Sequence, residues 1–243
     1  MRCQRVIETM IGNLSKRYYC LPTFLLIILA LAFPGCGQQN LDALPPLTLI
    51  DCEDRVVDSS EPGCLLIKAH DGALSDVVFS PNANQVATSS IDECVRIWNA
   101  DTGECLTAFN AQKYTLALAY SPDGKKLYCS ALNHGIYSVD TETYSSKVLA
   151  RTDSSEGPPQ GMVVSPSGEL VAVGTKPVWL FRTSDFKLVA ELRGHAQGGD
   201  TLAFSPDGNT LVSGNADHTA IVWDIPSETI RFKVKHGYWV GGV

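Results

Sequence analysis

A Ser-Pro pair occurs four times in this chain of 243 residues, at 80–81, 121–122, 165–166 and 205–206. The pairs recur at nearly regular intervals, with a period of about 40 to 45 residues. Each comes after a short alternating apolar segment and before a polar turn, as in "DVVFSPNAN" and "TLAFSPDGN". Alternation of this kind is typical of a half-buried strand. The chain is therefore predicted to repeat one unit of short antiparallel strands.

Three further strand-like segments complete each period, so that one unit holds four strands. Four antiparallel strands in about 40 to 45 residues make one blade of a β-propeller. The predicted fold class is therefore all-β, with a repeat domain over residues 45–243. The full repeats are predicted at about 70–109, 110–150, 151–192 and 193–234.

Two of the repeats share four residues at the same spacing, in which a His at position i is followed by a hydroxyl at i+18, an Asp at i+22 and a Trp at i+28. We name these sets the tetrads: His70, Thr88, Asp92 and Trp98 in the first repeat, and His195, Ser213, Asp217 and Trp223 in the fourth. The pattern resembles the WD40 repeat, and the resemblance extends over residues 45–243. In that family the four residues form a hydrogen-bonded chain from Trp to hydroxyl to His to Asp. A His fixed in one tautomer by such a chain is structural rather than catalytic.

The WD40 resemblance implies a rigid, non-enzymatic platform for protein partners, without a cofactor. The family binds partners mostly through loops on the narrower face, near the residue that precedes each turn Asp. Carried over to this sequence, the resemblance implies a partner-binding face at Ile91, Leu132 and Ala216, with Tyr114 and His134 as neighbours. The other two repeats have lost the tetrad, since Cys129 and Val139 stand at its positions in the second repeat.

The flanks of the four repeats decide whether the ring of blades closes. Shifted by one period, segment 49–67 aligns with 90–108, so it is predicted to be the latter half of another blade. At the other end, residues 235–243 place His236 at the tetrad His position and stop within a first strand. The two ends are predicted to form a partial or composite fifth blade. The alternative is an incomplete ring that self-associates through its exposed strand edges.

The amino terminus has the layout of an export signal. Residues 21–33 are an uncharged apolar run preceded by two basic residues, and the run is shorter than the about 20 residues that span a bilayer. Cys36 follows a small residue and resembles the lipobox of bacterial lipoproteins. This resemblance implies a hydrophobic signal helix within residues 1–35, an acylated Cys36, a tether over 36–44 and a location on the cell-envelope membrane. Secretion, for example into the periplasm, and an uncleaved anchor are the alternatives.

Net charge and cysteine positions lead to three further predictions, on the class of partner, on a disulfide and on metal sites. The net charge is −7, with no clustered basic stripe, which argues against a nucleic-acid partner. Cys52 and Cys64 flank a predicted hairpin turn, so they are a candidate disulfide, although buried free thiols are the alternative. The sequence has no CxxC or His-x-x-x-His pair, and no metal site is predicted.

Three functions stay open at this point. The first is a protein-interaction scaffold at the cell envelope, and the second is a truncated fragment without independent function. The third is an exported propeller enzyme, which would need convergent carboxylates of complementary pKa near the central channel. Because the acidic residues lie mainly in hairpin turns such as "DTGE" and "DTET", the sequence favours the scaffold.

Overall fold

The computed structural model describes residues 47–50, 56–58, 66–111, 114–132, 135–151, 157–198 and 201–243. Every regular element in these ranges is a β-strand, so the predicted all-β fold is confirmed. The same ranges contain no helix with the length and apolarity needed to cross a membrane. The predicted signal helix, the tether, Cys36, Cys52, Cys64 and His134 lie outside the described residues.

The strands follow the predicted periods. Three short strands come first: β1 (Thr48–Ile50), β2 (Val56–Asp58) and β3 (Leu66–Ile67). Blade 1 contains β4 (Leu74–Phe79), β5 (Gln85–Ser90), β6 (Cys94–Asn99) and β7 (Cys105–Asn110). Blade 2 contains β8 (Thr115–Tyr120), β9 (Lys126–Ala131), β10 (Gly135–Asp140) and β11 (Ser146–Arg151). Blade 3 contains β12 (Gly161–Val164), β13 (Leu170–Gly174), β14 (Val178–Arg182) and β15 (Leu188–Leu192). Blade 4 contains β16 (Thr201–Phe204), β17 (Thr210–Gly214), β18 (Thr219–Asp224) and β19 (Thr229–Lys235).

Each blade is an antiparallel meander in which consecutive strands pair. The first strand of every blade is the inner one, and these inner strands contact one another in the order β4, β8, β12, β16. Apolar side chains fill the space between successive blades. Examples of fully buried residues in the three cores are Ile97, Phe109 and Leu127, then Ile136 and Val171, then Leu180, Leu211 and Trp223.

The serine of each Ser-Pro pair closes the hairpin between the first two strands of its blade. Its Oγ accepts the backbone N–H of the residue five positions later, at 2.9 Å to 3.0 Å in all four blades. The third residue after the serine has a φ between 59° and 75°, a conformation that glycine adopts without strain. Three blades have Gly there and blade 1 has Ala83. We name this arrangement the serine clamp.

The segment before blade 1 differs in part from the prediction. Segment 49–67 was expected to be the latter half of another blade, but β1 pairs antiparallel with β7 and becomes a fifth strand of blade 1. Leu47 is buried in the core between blades 1 and 2. Without β1, β7 would be the edge strand of blade 1, with a row of unpaired backbone N–H and C=O groups. The pairing with β1 satisfies these groups. β2 and β3 pair with each other, so this two-stranded ladder is the part of the predicted partial blade that the structure contains.

The carboxyl-terminal segment forms no strand, so the composite blade is absent from the described residues. We name residues 236–243 the tail. The tail lies beside the turn formed by residues 215–218, and His236 N donates to His218 O at 2.8 Å. A Cβ added at Gly214 would lie 2.6 Å from Val240 Cγ1, so the tail packs closely on β17. No described ladder joins the tail to β2 or β3.

Candidate functional site

The blade 1 tetrad is a continuous hydrogen-bonded chain across β5 and β6. Trp98 Nε1 donates to Thr88 Oγ1 at 2.9 Å, and Thr88 Oγ1 lies 2.7 Å from His70 Nε2. His70 Nδ1 lies 3.0 Å from both carboxylate oxygens of Asp92. Asp92 also accepts the backbone N–H groups of Asp71 and Cys94. The chain therefore ties the loop before β4 to the turn between β5 and β6.

The blade 4 tetrad repeats this geometry. Trp223 Nε1 donates to Ser213 Oγ at 2.8 Å, and Ser213 Oγ lies 2.7 Å from His195 Nε2. His195 Nδ1 lies 3.3 Å from both oxygens of Asp217. Asp217 accepts the N–H of Ala196 at 2.7 Å, so the loop before β16 is tied to the turn between β17 and β18.

Neither tetrad offers a reactive group to solvent. The side chains of His70 and His195 are 1% and 2% exposed, and each hydroxyl is engaged by Trp and His. Since the hydroxyl oxygen accepts from Trp, its own proton goes to His Nε2, and in blade 4 this leaves Nδ1–H of His195 for the carboxylate of Asp217. The tetrads therefore hold two loops together, and no substrate atom reaches the hydroxyl.

The ionisation of the blade 4 pair follows from burial and hydrogen bonding. Burial lowers the pKa of His195 below its usual 6.5, against the opposing charge of Asp217. Burial tends to raise the pKa of Asp217, but hydrogen bonds from Thr219 and Ala196 and the neighbouring His195 lower it overall. The neutral His and the ionised Asp are thus the favoured forms near neutral pH.

The two tetrads differ in a fifth partner that sequence reasoning missed. In blade 1 the buried Arg96 places Nη1 2.7 Å from His70 Nδ1 and 3.2 Å from Asp92 Oδ2. In blade 4 the hydroxyl of Thr219 lies 3.1 Å from His195 Nδ1. In the sequence, Arg96 stands between two apolar residues in the segment "CVRIWN". A charged residue inside a strand that is predicted to be buried was the signal that could have identified it.

In blades 2 and 3, apolar side chains occupy tetrad positions. Cys129 and Val139 are 1% and 0% exposed, and Phe181 occupies the Trp position of blade 3 at 3%. These side chains belong to the cores between blades. Packing therefore replaces the hydrogen-bonded chain there, and the four-stranded sheets persist without it.

The tetrad turns and the loops they hold lie at one end of the strands, which we name the tetrad face. Of the predicted partner-binding residues, Ile91, Leu132 and Ala216 are half-buried there, and Tyr114 is exposed. Leu132 N donates to Tyr114 O at 2.8 Å, so these two residues are adjacent. His134 lies outside the described residues.

Two exposed aromatic residues on the tetrad face were missed by sequence reasoning. Tyr238 and Trp239 are 86% and 64% exposed, and they lie in the tail beside the 215–218 turn. Val240 N donates to Asn215 O at 3.3 Å, which holds the tail at this position. Two adjacent aromatic residues in the sequence were the signal that could have identified this site. They were missed because the repeat pattern assigned them to the first strand of a further blade.

The described ranges show one cleft and no candidate metal site. They contain no group of three His, Cys, Asp or Glu placed to hold a metal ion. A cleft of about 270 Å³ between blades 2 and 3 includes Lys126, Asp140, Lys147 and Asp185 in its lining. Hydrogen bonds from Thr143 hold the pKa of Asp140 below its usual value, whereas a general acid needs a raised pKa.

The described cysteines have distinct states. Cys94 and Cys129 are free and buried, whereas Cys105 is disulfide-bonded. The predicted Cys52–Cys64 pair lies outside the described residues, and it stays a prediction.

Four meanders with their inner strands in a row, two of them held by a Trp-to-Asp tetrad, define a protein built of β-propeller blades. Two of its four repeats are similar to the WD40 repeat. Residues 63–99 and 186–224 match the family model "WD domain, G-beta repeat", and each match contains one complete tetrad. Proteins with such repeats are generally non-enzymatic scaffolds.

Several WD-repeat proteins are similar to this chain. Telomerase Cajal body protein 1 of Homo sapiens is 30% identical over 159 residues, which are 60% of this chain and 29% of that protein. Periodic tryptophan protein 2 homolog of Dictyostelium discoideum is 29% identical over 188 residues, 73% of this chain and 20% of that protein. WD repeat-containing protein AAC3 of the same organism is 24% identical over 167 residues, 65% and 34% respectively. The chain thus spans roughly a third or less of each relative.

Proposed function

We propose that this protein is a non-enzymatic protein-interaction scaffold that binds its partner through the tetrad face. The observation that carries the proposal is the exposure of three aromatic side chains on that face, Tyr114 in blade 2 and Tyr238 and Trp239 in the tail. Aromatic residues are enriched among those that dominate binding energy at protein interfaces. The WD-repeat relatives support the same class of function.

The tetrads make the face rigid before a partner arrives. Asp92 and Asp217 each join two loops through backbone N–H groups. Gly72 fits tightly in this frame, since an added Cβ would lie 2.9 Å from Asp92 N. Loops that are ordered in the free protein lose little entropy on binding, so more of the contact energy appears as affinity.

The test is quantitative affinity capture with the tagged full-length chain. The double variant Tyr238→Ser/Trp239→Ser is compared with Leu188→Ser, a control at an exposed apolar residue of β15. Loss of an interface hot spot costs about 2 kcal/mol or more, which lowers capture of the partner by about tenfold or more. The proposal fails if the captured proteins are the same in both variants.

We further propose that acylated Cys36 tethers the scaffold to the cell envelope. The support is the lipobox-like "FPGCG" after the apolar run of residues 21–33, and stable anchoring requires more than one acyl chain. Metabolic labelling with an alkyne fatty acid should mark the wild-type chain and leave Cys36→Ser unlabelled. An unlabelled wild-type chain would refute the tether and leave the partner-binding face untouched.

A further inference from the structure

The cleft between blades 2 and 3 lies at the end of the strands opposite the tetrad face. It encloses about 270 Å³ and is lined by residues of β9, β10 and β11 and by the turn 183–186 of blade 3. Lys126 at its edge is the residue that the serine clamp of blade 2 holds, since its backbone N–H donates to Ser121 Oγ. The cleft is therefore separate from the tetrads and from the exposed aromatic residues.

One side chain of blade 2 accounts for the space in the cleft. In the other three blades the residue before the tetrad Trp position is apolar: Ile97, Leu180 and Val222. Ile97 and Leu180 are 0% and 2% exposed and belong to the cores between blades. Blade 2 has the half-buried Ser138 there, which lines the cleft and pairs across the ladder with Lys147. The space that an apolar side chain fills elsewhere is therefore left open beside polar groups.

Four side chains of the cleft are available to donate hydrogen bonds to a ligand: Lys126, Ser138, Lys147 and Ser184. Within the described part of the chain, none of the four makes a hydrogen bond or an ion pair through its side chain. Two other hydroxyl groups of the lining are engaged, because Ser146 Oγ donates to Leu47 O at 3.1 Å and Thr183 Oγ1 donates to Gly168 O at 2.6 Å. The unused donors thus come from both blades.

The charges around the cleft favour an anion. Asp185 lies 3.2 Å from Arg182 Nη1, and Asp140 Oδ1 accepts the N–H and the hydroxyl of Thr143. Four basic residues of the lining and its ion pairs outnumber these two carboxylates and leave a net charge of +2: Lys126, Lys147, Arg182 and Lys187. Since the whole chain has a net charge of −7, the cleft is a local positive site on an acidic protein.

A phosphate group matches this site better than a carboxylate does. A phosphate monoester carries a charge of about −1.5 to −2 at pH 7 and has three strong acceptor oxygens, whereas a carboxylate carries one charge on two oxygens. Lysine binds phosphate as a point charge, and such charge-assisted hydrogen bonds are stronger than neutral ones. The volume is below the range of about 300 to 1,000 Å³ that is typical of drug-sized ligands. The cleft therefore fits one phosphate group rather than a whole nucleotide.

We propose that the cleft between blades 2 and 3 binds a phosphate group, either free or on a side chain of another protein, through Lys126, Ser138, Lys147 and Ser184. Blade 2 supplies both ammonium groups and one hydroxyl, and blade 3 supplies the other hydroxyl, so the bound phosphate joins the two blades that lack a complete tetrad. The site uses neither the tetrad face nor its aromatic residues, so its failure and the failure of that partner-binding face are distinguishable.

Two probes, applied to the full-length chain, distinguish the sources of the phosphate group. Isothermal titration calorimetry with sodium phosphate measures binding of the free anion. A degenerate phosphoserine peptide library on beads measures capture of the chain, beside the same library with serine or glutamate at that position. Saturable binding of sodium phosphate alone identifies free phosphate as the ligand, and selective capture by the phosphoserine library identifies a phosphorylated protein. Binding to neither probe, or equal capture by the glutamate library, would overturn the proposal.

Two variants show whether the phosphate group binds in the cleft. Lys147→Gln should weaken binding of the effective probe by about tenfold, because it removes a charge-assisted hydrogen bond. Lys125→Gln is the matched control, since Lys125 is exposed and does not line the cleft, and it should leave binding unchanged. Equal weakening by both variants would overturn the proposal.

Ser138→Ile fills the cleft with the side chain that blade 1 has at the same position. It should abolish binding of the effective probe without lowering the urea midpoint, because an apolar side chain at this position packs between blades in blade 1. Undiminished binding by the Ser138→Ile variant would refute the site. If this variant does not fold, the comparison of Lys147→Gln with Lys125→Gln decides.

Discussion

Replacing Ser213 by Ala tests whether the tetrad is a structural unit. Ser213 is 0% exposed, and its Oγ is the only atom that joins Trp223 to His195 within the tetrad. The variant leaves the buried Trp223 Nε1–H and His195 Nε2 without this partner. A buried polar group left unpaired costs about 1 to 3 kcal/mol. Two such groups predict that Ser213→Ala lowers the free energy of unfolding by about 2 to 6 kcal/mol.

Two companion variants separate hydrogen bonding from side-chain volume. Ser213→Thr keeps the hydroxyl, and Thr88 occupies the same position in blade 1, so a change below about 1 kcal/mol is expected. The double variant Ser213→Ala/Trp223→Phe removes the orphaned donor together with its partner. Its destabilisation should therefore be smaller than the sum of the two single effects.

Urea unfolding followed by far-UV circular dichroism measures these free energies. Hydrogen exchange then locates the effect, since the amides of β17 and β18 should lose protection before those of β13 and β14. A change below about 0.5 kcal/mol for Ser213→Ala, the range of ordinary surface substitutions, would refute the reasoning. Equal destabilisation by Ala and Thr would refute it as well.

Three further substitutions follow from single sites. Burial raises the pKa of Asp76 in the folded state, so the contribution of Asp76 to the unfolding free energy should fall as pH rises from 3.8 through that raised value. Urea titrations at pH 4 and 7 should therefore show a smaller destabilisation by Asp76→Asn at pH 7 than at pH 4. Gly214→Ala should displace the tail and speed exchange of the Val240 amide, whereas Gly237→Ala, with open space around it, should not. Ala83→Gly should raise the unfolding free energy by about 0.5 to 1 kcal/mol, because Ala83 has a φ of 59°; an unchanged or lower urea midpoint would contradict it.

The blades were predictable because their signals are local and repeated. Alternation in each period defined strands such as β12 and β16 to the residue, and the shared offsets i+18, i+22 and i+28 brought both tetrads together. A hydrogen-bonded chain of four residues needs a fixed register, so an identical spacing in two repeats carries three-dimensional information.

The parts that sequence reasoning missed depend on which elements meet across long separations. The pairing of β1 with β7 depends on an edge that is open only once blade 1 has formed. Asp76 accepts the N–H of Leu118, 42 residues later, from the neighbouring blade. No periodic pattern encodes such contacts, because each occurs once.

The aromatic residues of the tail were missed for a related reason. Tyr238 and Trp239 were read as the start of a strand, since His236 stands at the tetrad His position. In the structure the backbone of this segment bonds to His218 and Asn215 instead of a neighbouring strand. Its aromatic side chains therefore face solvent rather than a core.

The serine clamps close all four blades at the rim opposite the tetrad face, whereas the tetrad is complete in only two of them. Blades 2 and 3 keep their hairpins in register without the polar chain that holds the other rim. One rim of the molecule is thus uniform, and the other is free to vary in sequence. Loops could be grafted onto the tetrad face of blades 2 and 3, where no His–Asp pair must be rebuilt, to give the same frame a new binding specificity.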